Sequence, residues 1–285
     1  MLRPLSHGPE ATRGTVRRME IAMITGASSG IGKATAIEMA QRGYHVVAAG
    51  RSEERTRGVV AAIHRDGGSA EFLHLDLATL ASSEMAGRNF VESGRKLDVL
   101  INNAGVGVTW GLTQDGFEMH FGVNHLGHFM LTHVLEPAFR PGSRVVILSS
   151  EAHRQATGID FKRVRKRTGL FDVVGAYGVS KLANILFAGQ LAILRPEWRS
   201  YAVHPGLVDT NIFPTVIKPF IPNRKPPIEG AKTSVWCATS REVADQSGLY
   251  YSDMRVREPS AVAQDDDLAA ELWHRSEEWC GVTWD

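Results

Sequence analysis

The 285-residue chain has two cysteines, Cys237 and Cys280, and no Cys-x2-Cys pair. Two thiols cannot build a disulfide framework, and the spacing of a cysteine metal site is missing. A reducing, cytoplasmic location is therefore expected. Net charge is equally scarce: 32 Lys and Arg stand against 31 Asp and Glu, leaving +1. This balance offers no electrostatic ground for nucleic acid or an anionic membrane as a partner. No run of about 18 apolar residues occurs, so no membrane span is expected. The first 18 residues carry four arginines and few apolar side chains. They lack the apolar stretch of a secretory signal and are expected to form a flexible tail.

What is present is an ordinary globular composition, 43% hydrophobic and 22% charged. From Glu20 onward, short apolar runs alternate with longer helical patterns. Strands are expected at 21–25, 45–50, 70–77, 97–103, 143–150, 200–206 and 248–251. Helices are expected at 30–42, 53–65, 82–93, 115–139, 176–194, 228–239 and 265–280. The alternation predicts one α/β domain over 19–285, a doubly wound, mostly parallel seven-stranded sheet of Rossmann type. The apolar strands suit a sheet covered on both faces. The Pro-rich stretch 213–227 is the one irregular insertion.

The segment TGASSGIG (25–32) joins the first strand to the first helix. Gly26, Gly30 and Gly32 permit a tight turn and close backbone approach. Ser28, Ser29 and Ile31 complete a loop that can place a pyrophosphate over the helix N-terminus. Tight strand–helix turns also use glycine, so the loop alone does not decide the matter. The second strand ends at Gly50 and Arg51, where an NAD site would carry a carboxylate. A guanidinium there suits a 2′-phosphate instead, which points to NADP(H). Asp76, followed by Leu77, is placed to meet the adenine amino group. Asn103, Ala104 and Gly105, in the segment NNAG, end the fourth strand and leave room for a ribose.

Tyr177 and Lys181 lie four apart on a predicted helix and so share a face. A free phenol titrates near pH 10, and lowering it by roughly three units needs about 4 kcal/mol. An ammonium about 4 Å away supplies that order of energy at an effective dielectric of about 20. Lys181 is therefore expected to tune Tyr177 as a proton shuttle. Ser149 and Ser150 close the fifth strand, and Ser150 can polarise a substrate carbonyl. Asn124 sits inside a predicted helix, where asparagine is unfavourable. A kink holding water on a relay to Lys181 would explain it. Pro205 and Gly206 end the sixth strand, and backbone from there through Val208 and Thr210 is placed to fix the nicotinamide carboxamide.

With these motifs in order, the sequence resembles the short-chain dehydrogenase/reductase superfamily from about Glu20 to Tyr251. DGFEMHFGVNHLGHFMLTHVL (115–135), LSSEAH (148–153) and LWHRSEEWCG (272–281) resemble its retinol dehydrogenase and WW-domain oxidoreductase-like branch. The resemblance implies NADP(H) as cofactor. It implies hydride transfer between the nicotinamide and a small-molecule carbonyl or alcohol. It leaves assembly open between a monomer and a homodimer or homotetramer. The stretch 207–230 is individual, and its Phe213, Ile217, Phe220 and Ile221 are expected to form an apolar lid over a largely apolar substrate.

Three readings compete with an apolar carbonyl reductase: a tailoring ketoreductase of natural-product biosynthesis, a cofactor-binding scaffold without turnover, and an extended epimerase or dehydratase. The scaffold commonly loses Tyr or Lys, and the epimerase needs a longer C-terminal domain. His120, His125, His128 and His133 crowd one segment without His-x3-His spacing, so no metal site is assigned. The basic run FKRVRKR (161–167) reads as a solvated loop. Trp273, Trp279 and Trp284 read as packing for the last helix.

Overall fold

The computed structural model describes residues 18–169, 172–209 and 224–284. The expected tail, apart from Arg18, lies outside these residues, as do Thr210 and the lid residues Phe213, Ile217, Phe220 and Ile221. The strands are β1 (Ile21–Thr25), β2 (His45–Gly50), β3 (Ser69–His74), β4 (Val99–Asn102), β5 (Arg144–Leu148), β6 (Arg199–His204), β7 (Leu249–Ser252) and β8 (Arg255–Val256). The helices are α1 (Gly30–Gln41), α2 (Glu53–Arg65), α3 (Leu80–Glu92), α4 (Met119–Phe121), α5 (Gly127–Val134), α6 (Val173–Leu194), α7 (Pro227–Thr239) and α8 (Asp266–Cys280).

One sheet runs in the order β3-β2-β1-β4-β5-β6-β7-β8. The first seven strands are parallel, as the alternating pattern predicts. The eighth is antiparallel to β7. It escapes sequence detection because it has two residues, joined to β7 by a turn with positive φ at Asp253 and Met254. Side chains alternate across the sheet. Met23 of β1 joins one apolar cluster, while Ala22 and Ile24 join the other. Helices α1, α2 and α7 bury their apolar residues on one face. Helices α3, α5, α6 and α8 cover the opposite face.

The chain moves outward from β1 to β3, then returns to lay β4 against the other side of β1. That reversal opens a crevice beyond the carboxyl ends of β1 and β4. Helix α6, with mean hydropathy 1.3, is long and apolar enough to cross a membrane by length and composition alone. Most of that stretch is buried inside this fold. Two of its buried polar residues, Lys181 and Asn184, donate to the Leu148 carbonyl at the end of β5.

The helix expected at 115–139 forms over 119–134, with a π-helical segment inside it. Residues 115–118 stay outside the helix, α4 makes one turn, and a π-helical segment covers Gly122–Leu126 before α5 begins. Tertiary contacts dictate this. Glu118 accepts the Phe121 N–H at 2.9 Å and so starts α4 late. Gly122 presses on Thr113, where an added Cβ would lie 2.4 Å from its methyl group.

Candidate active site

The glycine loop and the β4 loop are built against each other. Gly26 adopts φ +69, and an added Cβ would lie 2.9 Å from the Ala104 Cα. A Cβ on Gly32 would lie 2.3 Å from the Gly26 carbonyl oxygen and 2.4 Å from Asn103 Nδ2. Only glycine permits this approach. The Asn103 amide donates to the Thr25 carbonyl at 2.7 Å. Ser29 is the N-cap of α1 but makes no side-chain capping bond. The first-turn N–H groups thus point at the crevice with their positive dipole end, the arrangement that binds a pyrophosphate.

A cleft of about 430 Å³ runs along this edge. Gly26, Ser28, Ser29, Ile31 and Gly32 line it, with Arg51, Asp76, Leu77, Asn103, Ala104, Gly105, Tyr177, Lys181 and Pro205. Gly30 is the turn residue, at φ +54. One oxygen of Asp76 accepts the Ala78 N–H at 3.1 Å, which fixes the carboxylate at the cleft wall. Gly206 also turns with positive φ, +83, beside Lys225. Val208 is buried, packs against Gly230, and pairs with Lys225 through a backbone bridge.

Arg51 lies at the mouth, and Arg55, one helical turn further, faces the same cleft. Among the described residues neither forms an ion pair, whereas Arg57 is taken up by Glu53 at 2.7 Å. Sequence reading missed Arg55. Its four-residue offset from Arg51 was the available signal, once α2 is known to begin at Glu53.

Ser149 and Ser150 have separate surroundings. Ser149 is buried and donates to the Lys181 carbonyl at 2.7 Å, tying β5 to α6. Ser150 accepts the Ala152 N–H at 3.2 Å, which holds its hydroxyl in place. Burial pushes the Tyr177 phenol up to about 12, and nearby Ser150 opposes the rise. Lys181 is 4% exposed. Its Nζ donates to the Leu148 carbonyl at 3.0 Å. It stands 5.6 Å from the Tyr177 ring centre. Burial lowers its own pKa to about 8. In the cofactor-free protein, desolvation is the largest influence on the phenol.

Asn124 lies within the π-helical segment. Its Oδ1 accepts the Val106 N–H at 2.8 Å, and its Nδ2 donates to the Val106 carbonyl at 3.1 Å and to Ser180 Oγ at 3.0 Å. It clamps the loop after Gly105 with both amide protons in use, and Oδ1 keeps a second lone pair. Its main-chain carbonyl accepts from His128 Nδ1 at 3.0 Å. His128 Nε2 in turn meets the Thr25 hydroxyl at 2.8 Å. That hydroxyl accepts the N–H groups of Asn103 and Ala104. Thr25 and His128 therefore join the glycine loop to the Asn124 turn. Neither role shows in the sequence, because the partners are 103 residues apart.

The other histidines scatter. His120 meets Glu118, and His125 meets Ser276 at 3.0 Å. His133 stands edge-on to Trp284. The basic run is more than solvated: Arg163 pairs with Asp172 at 2.8 Å, and Arg165 stacks over Phe117. Trp273 and Trp284 pack with Phe129, and Trp279 with Phe117, as expected for α8.

A parallel sheet that presents an uncapped helix end at its switch point belongs to the dinucleotide-binding class. The tyrosine, serine and lysine across the crevice give that class a reactive side. Comparison with known proteins narrows it. The family model for short chain dehydrogenase matches residues 20–161. Dehydrogenase/reductase SDR family member 13 of Homo sapiens is 38% identical over 281 residues, covering 93% of this chain and 74% of that protein. Retinol dehydrogenase 12 of Mus musculus is 37% identical, covering 93% and 88%. Among solved structures, an uncharacterised protein from Mycobacterium Paratuberculosis is 31% identical with TM-score 0.78, covering 93% and 95%. The chain belongs to the short chain dehydrogenase family, an oxidoreductase family that uses a nicotinamide cofactor, on its retinol dehydrogenase-like branch.

Proposed function

We propose that this protein reduces a largely apolar ketone or aldehyde with NADPH, or oxidises the matching alcohol with NADP. The reading is carried by Tyr177 and Lys181, one helical turn apart on the wall of the dinucleotide cleft, with Ser150 acting on the phenol. The reduced nicotinamide, when bound, supplies a hydride to the carbonyl carbon. Ser150 and Tyr177 hold the carbonyl oxygen, and Tyr177 gives it the proton that completes the alcohol. Burial keeps that proton on the phenol at neutral pH, so it leaves only as alkoxide charge develops. Ser150 then stabilises the phenolate. Lys181, with its pKa near 8, is matched to returning a proton at working pH. Asn124 holds a water on that path through a lone pair left on its Oδ1 or its main-chain oxygen.

Two guanidiniums without ion pairs among the described residues, Arg51 and Arg55, support NADP(H) over NAD(H). Exposed Val108, Trp110, Leu112 and Leu207 give apolar surface on the segments that leave the cleft. A relative named for retinol, itself an apolar alcohol, agrees with that surface. The test is thermal stabilisation by each cofactor. A ligand at about 100 times its Kd adds about 2.7 kcal/mol. NADPH should raise the melting temperature well above any rise with NADH at equal concentration. A larger rise with NADH would overturn the preference.

A further inference from the structure

Beneath the loop that walls the cleft lies a buried carboxylate–imidazole pair that neither the cofactor cradle nor the proton path uses. Glu118 is 4% exposed. Its carboxylate accepts from Phe121 N–H at 2.9 Å, from Thr168 Oγ1 at 2.7 Å and from His120 Nδ1 at 2.8 Å. Burial pushes the carboxyl up, yet His120, Thr168 and Phe121 together hold it below its usual range. His120 is fully buried, and its Nε2 faces the Gly107 carbonyl oxygen in a short contact. Both ring nitrogens thus face oxygen atoms, Nδ1 the Glu118 carboxylate and Nε2 the Gly107 carbonyl.

The loop begins beside Lys181, where a Cβ on Gly105 would lie 3.6 Å from Nζ, and it runs out to exposed Trp110. Asn124 clamps Val106 through both backbone groups. His120 takes the next residue, Gly107, whose carbonyl also accepts the Thr109 N–H at 2.9 Å. The His120 ring stands edge-on to the Tyr177 ring, with centroids 6.0 Å apart. The dinucleotide cradle fills the Gly26 to Arg51 end of the cleft. A substrate must enter past the other end, along the outer half of this loop.

We propose that the Glu118–His120 pair is the positioning element for the substrate-side wall of the cleft, holding the Gly107 carbonyl in register with Tyr177. Asn124 then governs the cofactor side of the loop, and His120 governs the substrate side. The kinetic part rests on the carbonyl-reductase reading; the structural part does not.

Isosteric variants separate the two bonds of the ring. His120→Asn sets an amide where Nδ1 stands, so it keeps Glu118 and loses Gly107. His120→Gln sets an amide where Nε2 stands, so it reaches Gly107. The first readout is hydrogen exchange of the amides at 108–110 in the cofactor-free protein. In the wild type, the Thr109 amide should exchange more slowly than an open loop. Exchange should quicken in His120→Asn and stay near the wild-type rate in His120→Gln. The second readout is kinetic. KM for a carbonyl substrate should rise about tenfold in His120→Asn, the loss expected for one buried hydrogen bond, with the Kd for NADPH unchanged. An unprotected Thr109 amide in the wild type would overturn the proposal even if no variant folds. Equal behaviour of the Asn and Gln variants, or faster exchange with no change in KM, would also overturn it. A wild type that turns over no carbonyl would sink the functional reading instead, while the exchange comparison still decides whether the pair holds the loop.

Discussion

Replacing Lys181 with Met should make the protein more stable while removing its activity. The lysine is 4% exposed, and burial brings its pKa from 10.5 to about 8. Each factor of ten is worth about 1.4 kcal/mol, so holding the ammonium charged in the fold at pH 7 costs about 3 kcal/mol. Met fills similar space without the charge. It gives up one hydrogen bond to the Leu148 carbonyl, worth about 1 kcal/mol net. That carbonyl still accepts from Asn184 at 2.8 Å. The net expectation is about 2 kcal/mol of added stability at pH 7 in the cofactor-free protein. The pH dependence has a definite sign. Above pH 8 the native lysine releases its proton, while the unfolded one keeps it until about 10.5. The unfolded chain then binds more protons, so wild-type stability rises relative to the variant through that window. Urea unfolding of both proteins at pH 7 and pH 10.5 reads this directly. The variant should lead at the lower pH and lose its lead at the higher. A variant less stable at pH 7, or a gap that does not change with pH, would refute the reasoning.

Arg51→Ala and Arg55→Ala should each weaken NADPH about tenfold and leave NADH untouched, as removal of one phosphate contact requires; fluorescence titration of the reduced nicotinamide measures both, and equal losses for the two cofactors would count against a 2′-phosphate site. Gly32→Ala should destabilise the fold by roughly 1–3 kcal/mol, because its methyl group meets the Gly26 carbonyl and the Asn103 amide, and it should abolish stabilisation by cofactor. An unchanged urea midpoint with normal cofactor binding would contradict the close approach described for the two loops.

The sheet was legible because its strands are continuous apolar runs between helices, and the end of each strand was marked by a short motif. The glycine loop, the Arg51 position and the Tyr177–Lys181 spacing depend only on local order, so they could be read directly. What could not be read is set by contacts between distant segments. The helix expected through Asn124 starts late because Glu118 caps it, and it widens to a π-helical segment over Gly122–Leu126. The clamp of Asn124 on Val106 spans loop and helix and has no local signature. The four-residue spacing of Tyr177 and Lys181 is local, but the depth at which the fold buries the phenol is not. His128 reads as one of four crowded histidines until Thr25 is seen across the sheet edge.

Tyr177→Phe tests the central claim most directly. The variant lacks the hydroxyl that gives the substrate oxygen its proton, while the cradle from Gly26 to Arg51 is untouched. NADPH oxidation with a panel of apolar aldehydes and ketones should fall to the background rate, with the NADPH dissociation constant unchanged. Turnover that survives the loss of the hydroxyl would contradict the account.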